Sequence, residues 1–327
     1  MIANHRLARF LEDYGIVLIV VVMMLVLYAS RPDVFLSLAN LTNIIKQNAS
    51  LALLALGMFV VIVTAGIDLS VGSVMALAMM CLAVAAKAGV PWPIVILIGP
   101  LVGIAAGLVN GFGLTILRLP HPFIMTLGTL NIARGLSSLI TNGAPVSGLG
   151  PQTRYLGQAN YDFGVFPPPT GLPASLFVVA VSAVGLWFFL NRTSLGRHIF
   201  AIGGNPHAAR VSGINVDRVL VYVYAISGFF AGLAGLLLAG RTDSGFPLAG
   251  QNAELDAIAA VIIGGASFFG GRGTILGVLA GVLIMGLMRN GLNLNNISPF
   301  WQQILIGMVI ILAVYIDVVR RRASVRS

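Results

Sequence analysis

The sequence predicts an all-α fold, a polytopic transmembrane helical bundle of about ten spans with both termini in the cytoplasm. Composition is the first reason, because 58% of the 327 residues are hydrophobic and only 9% are charged, and the mean hydropathy is +0.97. A soluble domain carries about 25% charged residues. Length is the second reason, since at about 20 residues per crossing the apolar stretches fill most of the chain. We therefore expect one transmembrane domain over residues 1–327, with no separate catalytic domain.

Apolar stretches separated by polar or glycine-rich turns define the predicted spans. Several are shorter than a full crossing, so flanking residues must complete them. The spans are predicted at 16–28, 49–64, 73–86, 93–117, 122–140, 172–190, 219–238, 255–269, 274–288 and 301–316. Residues 35–47 mix apolar side chains with Asn40, Asn43, Lys46 and Gln47, a pattern typical of a helix that lies at the membrane interface.

The basic residues set the predicted orientation. Cytoplasmic loops carry an excess of Lys and Arg, and an amino terminus placed inside puts twelve basic residues on the cytoplasmic side against six outside. The inside set is Arg6, Arg9, Arg118, Arg192, Arg197, Arg210, Arg218, Arg272, Arg320, Arg321, Arg322 and Arg326. This bias predicts a multi-pass membrane protein with both termini in the cytoplasm.

Other function classes find little support in the sequence. The basic residues form no stripe with interleaved aromatics, so we expect no nucleic-acid partner. The single cysteine, Cys81, lies inside an apolar run, and the four histidines have no metal-binding spacing. We therefore expect no metal and no cofactor bound by this chain.

A cytoplasmic loop carries the signals of a short helix. Asn205 is a good N-cap, Pro206 suits the first helical position, and Gly213 can end the helix. A helix of about two turns is marginal in water alone, which indicates that it docks on a partner; a plain interfacial turn is the alternative. The candidate docking residues are Gly203, Gly204, Asn205, Pro206, Arg210, Ser212 and Gly213.

A carboxylate interrupts the apolar sequence at Asp68, between Gly66 and Gly72. Broken backbone at membrane depth needs protein or a water-filled cavity around it, and an ionisable group there indicates a functional site. The residue types favour a structural role, in which Asp68 caps the following helix. Candidates for a translocation path are Asp68, Asn110, Asn131, Arg134, Asn290 and Asn293, with Gln302 as a further polar residue. Amides also bond helices to one another.

The glycine-rich segment 264–273 looks at first like a phosphate-binding loop. That motif needs Lys followed by Ser or Thr after its last glycine, whereas Gly271 and Arg272 stand in those places. No other stretch supplies a Walker A sequence, so we expect the chain not to be an ATPase. The spacing of Gly66 and Gly72 recurs at Gly265 and Gly271, which hints at an internal repeat.

Six stretches together resemble the membrane permease subunits of bacterial ABC importers for monosaccharides, with ribose permeases nearest in pattern. Each stretch alone is weak, and together they cover about the last three quarters of the chain. They are AGIDLSVGS at 65–73, TNGAPV at 141–146, SLGR at 194–197, GGNPHAARVSGI at 203–214, ELDAIAAV at 254–261 and NGLNLN at 290–295.

The resemblance implies a set of partners and a mechanism. A second permease subunit, identical or paralogous, would complete the path across the lipid membrane. Two ATPase subunits that bind ATP and Mg would grip the segment 205–213 as a coupling helix. A periplasmic sugar-binding protein would meet the outer segments 142–171 and 241–254. Transport would then proceed by alternating access.

Three alternatives stay open on the sequence. One is an ion-coupled secondary transporter that uses Asp68 and Arg134 as coupling charges. Another is an ABC permease for branched-chain amino acids or nucleosides. A structural membrane protein is the third, and the polar groups within the spans disfavour it.

Overall fold

A computed structural model describes the backbone of residues 2–119, 121–167 and 170–326, and the side chains of that part except 2–14 and 320–326. The terminal basic side chains used for orientation, from Arg6 and Arg9 to Arg326, lie outside the described side chains. The helices are α1 (Ile2–Ser30), α2 (Pro32–Phe35), α3 (Leu38–Val63), α4 (Val71–Lys87), α5 (Trp92–Ile116), α6 (Pro122–Leu139), α7 (Pro151–Gln158), α8 (Ala174–Arg192), α9 (Ser194–Gly204), α10 (Pro206–Val211), α11 (Val216–Thr242), α12 (Ala253–Ile263), α13 (Ile275–Leu294) and α14 (Pro299–Arg326).

The predicted all-α membrane fold is confirmed. Within the described residues, six helices are long and apolar enough to cross a bilayer: α3, α5, α8, α11, α13 and the part Pro299–Val319 of α14. Each of the other predicted spans also falls on a helix, in α1, α4, α6 and α12. With 11 residues, α12 is about 16 Å long, roughly half the thickness of the hydrocarbon core.

The prediction of a separate interfacial helix at 35–47 is wrong, because most of this segment belongs to α3, which runs unbroken from Leu38 to Val63. Ser37 caps this helix by accepting a hydrogen bond from the Asn40 amide at 3.2 Å. The Asn40 side chain donates to the Phe35 carbonyl and exchanges two hydrogen bonds with Asn290. Protein partners thus satisfy this polar group, and the helix continues into the bundle.

The centre of the bundle is the packing of α11 against α5, α3 and α4. Glycines let α5 and α11 approach until their backbones touch. A Cβ atom added to Gly103 would overlap the Gly228 carbonyl, and one added to Gly232 would overlap the Gly99 carbonyl. Small residues permit this close helix contact in membrane proteins, so α5 and α11 are clamped together near the middle of α11.

The bundle has two distinct ends. At the α10 end, α9 and α10 join α8 to α11. At the α7 end, two short antiparallel ladders order the long connection between α6 and α8. Strand β1 (Val146–Ser147) pairs with β4 (Ser244–Gly245), and β2 (Asn160–Tyr161) pairs with β3 (Leu172–Pro173). The β1–β4 pair joins this connection to the segment that follows α11.

Candidate functional site

The short helix predicted in the cytoplasmic loop is present as α10. The Asn205 side chain accepts a hydrogen bond from the Ala208 amide at 3.0 Å, and Pro206 is the first helical residue. After Ser212, Gly213 adopts a left-handed φ of +84°. The predicted caps are therefore confirmed at both ends of the helix.

One face of α10 lies open at the end of the bundle. Ala209 is buried and holds the helix in place, whereas His207, Arg210 and Val211 are exposed, Val211 by 78%. Arg210 pairs with Asp217 at 3.1 Å, but both side chains are more than 60% exposed, and such surface pairs contribute little to stability. An uncovered apolar side chain beside a cation is suited to a protein partner.

Gly203 brings α9 against two other segments. The Gly271 amide donates to the Val63 carbonyl at 2.8 Å, and Gly203 packs on both groups so closely that a Cβ atom would overlap the Val63 oxygen. By contrast, a Cβ atom at the neighbouring Gly204 would meet nothing within 4 Å. The end of α3, the glycine turn after α12 and the helix before α10 therefore meet at Gly203.

Sequence reasoning missed α9 and this contact. Two signals could have revealed the helix. Thr193 accepts a hydrogen bond from the Gly196 amide at 3.1 Å, as an N-cap does. Leu195, Ile199 and Ile202 recur at helical spacing, and Ile199 and Ile202 are buried.

Asp68 lies in a closed polar cluster between α3 and α4. Its side chain is 1% exposed and accepts hydrogen bonds from the Ser70 amide at 3.0 Å, the Ser70 hydroxyl at 2.6 Å and the Ser227 hydroxyl at 2.8 Å. Asn110 on α5 donates to the Ser70 hydroxyl at 2.8 Å. Asp68 and Asn110 thus bond the break after α3 to helices α5 and α11.

This geometry favours the structural interpretation of Asp68. The prediction that Asp68 caps α4 is wrong, because the N-cap of α4 is Ser70. Asp68 instead accepts hydrogen bonds from the amide and hydroxyl of that cap residue. In the described part of the chain, the side-chain oxygen of Asn110 and the hydroxyl of Tyr224 are buried without a hydrogen-bond partner. The cluster is enclosed by protein, and Asp68 does not line an open path in this conformation.

Arg134 and Asn131 lie on α6, apart from that cluster. The Arg134 guanidinium donates to the carbonyls of Pro247 and Ala249 at 2.8 and 2.7 Å. Backbone carbonyls of the segment between β4 and α12 therefore stabilise its positive charge. Asn131 is exposed and its amide donates to Leu127 in its own helix at 3.0 Å.

Asn290 and Asn293 lie at the α7 end, where they line a polar cavity of about 390 Å³ between α3 and α13. Asn290 bonds Asn40, and the side-chain oxygen of Asn293 accepts from Gln302 at 2.7 Å. The six predicted translocation residues therefore occupy three separate places. Their role in translocation stays a prediction.

The chain matches the family model described as the branched-chain amino acid transport system permease component, over residues 40–314. This chain belongs to that family. It is 40% identical to the ribose import permease of Bacillus subtilis (strain 168), over 96% of this chain and 92% of the relative. In Escherichia coli (strain K12), the D-allose transport system permease is 39% identical (95% and 93% covered) and the galactose/methyl galactoside import permease is 38% identical (94% and 94%).

The similarity covers almost all of this chain and almost all of each relative, so it is not confined to one motif. No solved structure matches the chain. Together with its long apolar helices, membership of this family makes the chain a multi-pass protein of the inner membrane and a transport subunit rather than an enzyme.

Proposed function

We propose that the permease is the membrane subunit of an ATP-driven ABC importer that carries a monosaccharide, ribose-like, into the cell by alternating access. The observation that carries this proposal is identity of 38–40% to ribose, allose and galactose permeases over nearly the full length. Transport of a pentose or hexose is the activity these relatives share by name.

The proposed topology has ten spans, both termini in the cytoplasm and one permease domain over residues 1–327. The α10 end faces the cytoplasm and the α7 end faces outward. Support comes from the twelve-to-six excess of basic residues on the α10 side. Helix α12 is too short to cross alone, and it forms a hairpin with α13 through the turn 264–274.

The proposed partners divide between the two ends. An ATPase dimer that binds ATP and Mg docks on α10, and a periplasmic sugar-binding protein docks on the ordered connection at the α7 end. A second permease subunit, identical or paralogous, completes the path. The chain itself binds no cofactor, metal or nucleic acid.

Coupling starts from the exposed face of α10. Movement of α10 reaches α9 directly, because only Asn205 separates the two helices. At Gly203, α9 contacts the end of α3 and the glycine turn after α12. Closure of the ATPase dimer would therefore shift two breaks in the helical bundle at once, and these breaks connect to α4, α5, α11 and α13.

The test is Arg210→Glu in proteoliposomes that hold the permease, its ATPase and its binding protein. We expect ATP-driven sugar uptake to fall at least about tenfold, the equivalent of about 1.4 kcal/mol of lost interaction, while the variant still inserts into the membrane. Arg218→Glu is the matched control, since Arg218 is also an exposed arginine at this end. Normal uptake by the Arg210 variant would refute the role of α10.

Cargo class needs a separate measurement, because the family description names branched-chain amino acids while the relatives carry sugars. Competition of labelled ribose uptake by allose, galactose, leucine and adenosine separates these classes. Inhibition by sugars alone supports the proposal. Uptake by the purified chain in an ion gradient without ATP would favour the ion-coupled alternative instead.

A further inference from the structure

The polar cavity at the α7 end concentrates positive charge. Lys46, Arg241 and Arg289 all line it, together with several amide side chains. Within the described residues, Arg289 alone of these three has a carboxylate partner, because it forms an ion pair with Asp256. The Lys46 ammonium donates to the Gln158 carbonyl at 2.6 Å, a bond that leaves its charge uncompensated.

Arg241 is the least satisfied of the three cations. It lies in the last turn of α11 and is half-buried. Among the described residues, its guanidinium has neither an ion pair nor a hydrogen bond. A partly buried cation without a partner is costly, so the cavity has a net positive charge that an anionic ligand would stabilise.

An apolar groove lies next to this cavity, toward the middle of the bundle. It lies between α3, α8 and α13, has a volume of about 160 Å³ and shares Ile44 and Asn48 with the polar cavity. Ala52, Val179 and Leu283 line it further in, and Leu283 is 40% exposed. The cationic cavity and the groove therefore adjoin at Ile44 and Asn48, and together they form one candidate site, polar at the bundle end and apolar further in.

We propose, on the topology proposed above in which the α7 end faces outward, that this site binds an anionic phospholipid of the outer leaflet. The phosphate lies against Lys46 and Arg241, and the first part of an acyl chain lies in the groove along α3 and α13. Basic residues at the membrane surface attract anionic lipids, which accounts for the charge at one end of the site. A sugar or a free phosphate would leave the apolar groove without a ligand.

A bound lipid would also join parts of the chain that are distant in sequence. Lys46 belongs to α3 and Arg241 to the end of α11, close to the β1–β4 ladder. One phosphate shared by these two cations would neutralise their repulsion and fix the end of α11 against α3. The site therefore acts as a structural lipid site. Asn290 and Asn293 line the same cavity, so a lipid bound there would take these two residues out of the predicted path of the cargo.

The first experiment uses the intact permease, delipidated in detergent and titrated with phosphatidylglycerol or phosphatidylcholine by native mass spectrometry. We expect phosphatidylglycerol to bind more tightly. The double variant Lys46→Gln/Arg241→Gln should weaken it about thirtyfold, from about 1 kcal/mol for each cation. Lys87→Gln, which removes an exposed charge at the same end of the bundle, should change nothing. Equal binding of both lipids would overturn the proposal.

The second experiment tests the groove. Leu283→Trp fills it, and we expect weaker phosphatidylglycerol binding, whereas Leu276→Trp, on the same helix and 78% exposed, should bind as the wild type does. Thermal unfolding with inorganic phosphate, glycerol 3-phosphate or ribose distinguishes soluble ligands. Stabilisation by any of these that equals that by phosphatidylglycerol would show a soluble-ligand site and refute a lipid. Sugar uptake is measured separately, so failure here leaves the transport proposal intact.

Discussion

The breaks after α3 and α12 share a backbone turn but differ in how a carboxylate holds them. After α3, the amides of Ala65 and Gly66 donate to Ile62 and Val61; after α12, the amides of Gly265 and Ala266 donate to Ile262 and Val261. The residue after the helix cap has positive φ in both, +59° at Ala65 and +85° at Gly265. The repeat hinted at by the glycine spacing is therefore present in the backbone.

The carboxylate comes from a different place in each turn. In the first, Asp68 belongs to the turn itself and is 1% exposed. In the second, Phe268 stands at the matching position, and Asp317 of α14 accepts its amide at 3.0 Å. Asp317 also lines an apolar cavity of about 620 Å³. The first turn is thus closed by its own side chain, whereas the second depends on a neighbouring helix and stays open on one side.

Removal of the two carboxylates should separate the turns most clearly. We expect Asp68→Ala to lower the free energy of unfolding by about 3 kcal/mol or more, because it leaves three buried donors unpaired. Asp317→Ala should cost about 1 kcal/mol, since its two donors, the Phe268 amide and the Ser267 hydroxyl, are only partly buried and can bond water instead. Thermal unfolding in detergent measures both. Equal losses would contradict the distinction between a closed and an open turn.

The contact of α9 with both turns gives the second test. Gly203→Ala should cost about 1–3 kcal/mol from overpacking against backbone and should reduce ATP-driven uptake. Gly204→Ala is the matched control, because a Cβ atom there meets nothing within 4 Å. Unfolding temperature and uptake are measured together. If Gly203→Ala changed neither the unfolding temperature nor uptake, close packing of α9 against the two turns would be refuted.

The smallest effect concerns the left-handed residue of each turn. Gly265→Ala should destabilise the protein by about 1 kcal/mol, because the left-handed conformation is strained for any residue with a Cβ atom. Ala65→Gly should stabilise it by up to about 1 kcal/mol for the same reason. Both variants are compared by thermal unfolding. Shifts of the same sign would show that the two turns differ in conformation.

Local features were predictable from the sequence. The caps of α10 at Asn205 and Gly213 follow from rules that involve only neighbouring residues. The apolar runs likewise located helices at all the predicted spans, because a bilayer demands helical backbone wherever the side chains are apolar. Composition and six short stretches sufficed for the family.

Contacts between distant residues were not predictable. Asp68 binds Ser227, which lies 159 residues away, and Asn40 bonds Asn290 at a separation of 250 residues. Without those partners, Asn40 and its polar neighbours indicated an interfacial helix. Arg134 is satisfied by backbone carbonyls, and no side-chain pattern reveals such acceptors. The grouping of the candidate residues depended on these pairings.

The glycine crossing in the middle of α11 has a mechanical consequence. This helix has 27 residues without a break, so it is a stiff rod about 40 Å long. Close backbone contacts with α5 extend along it from Val221 to Gly232. A push at the α10 end would therefore move α5 and α11 as one stiff pair, and the β1–β4 ladder at the other end of α11 would shift with them.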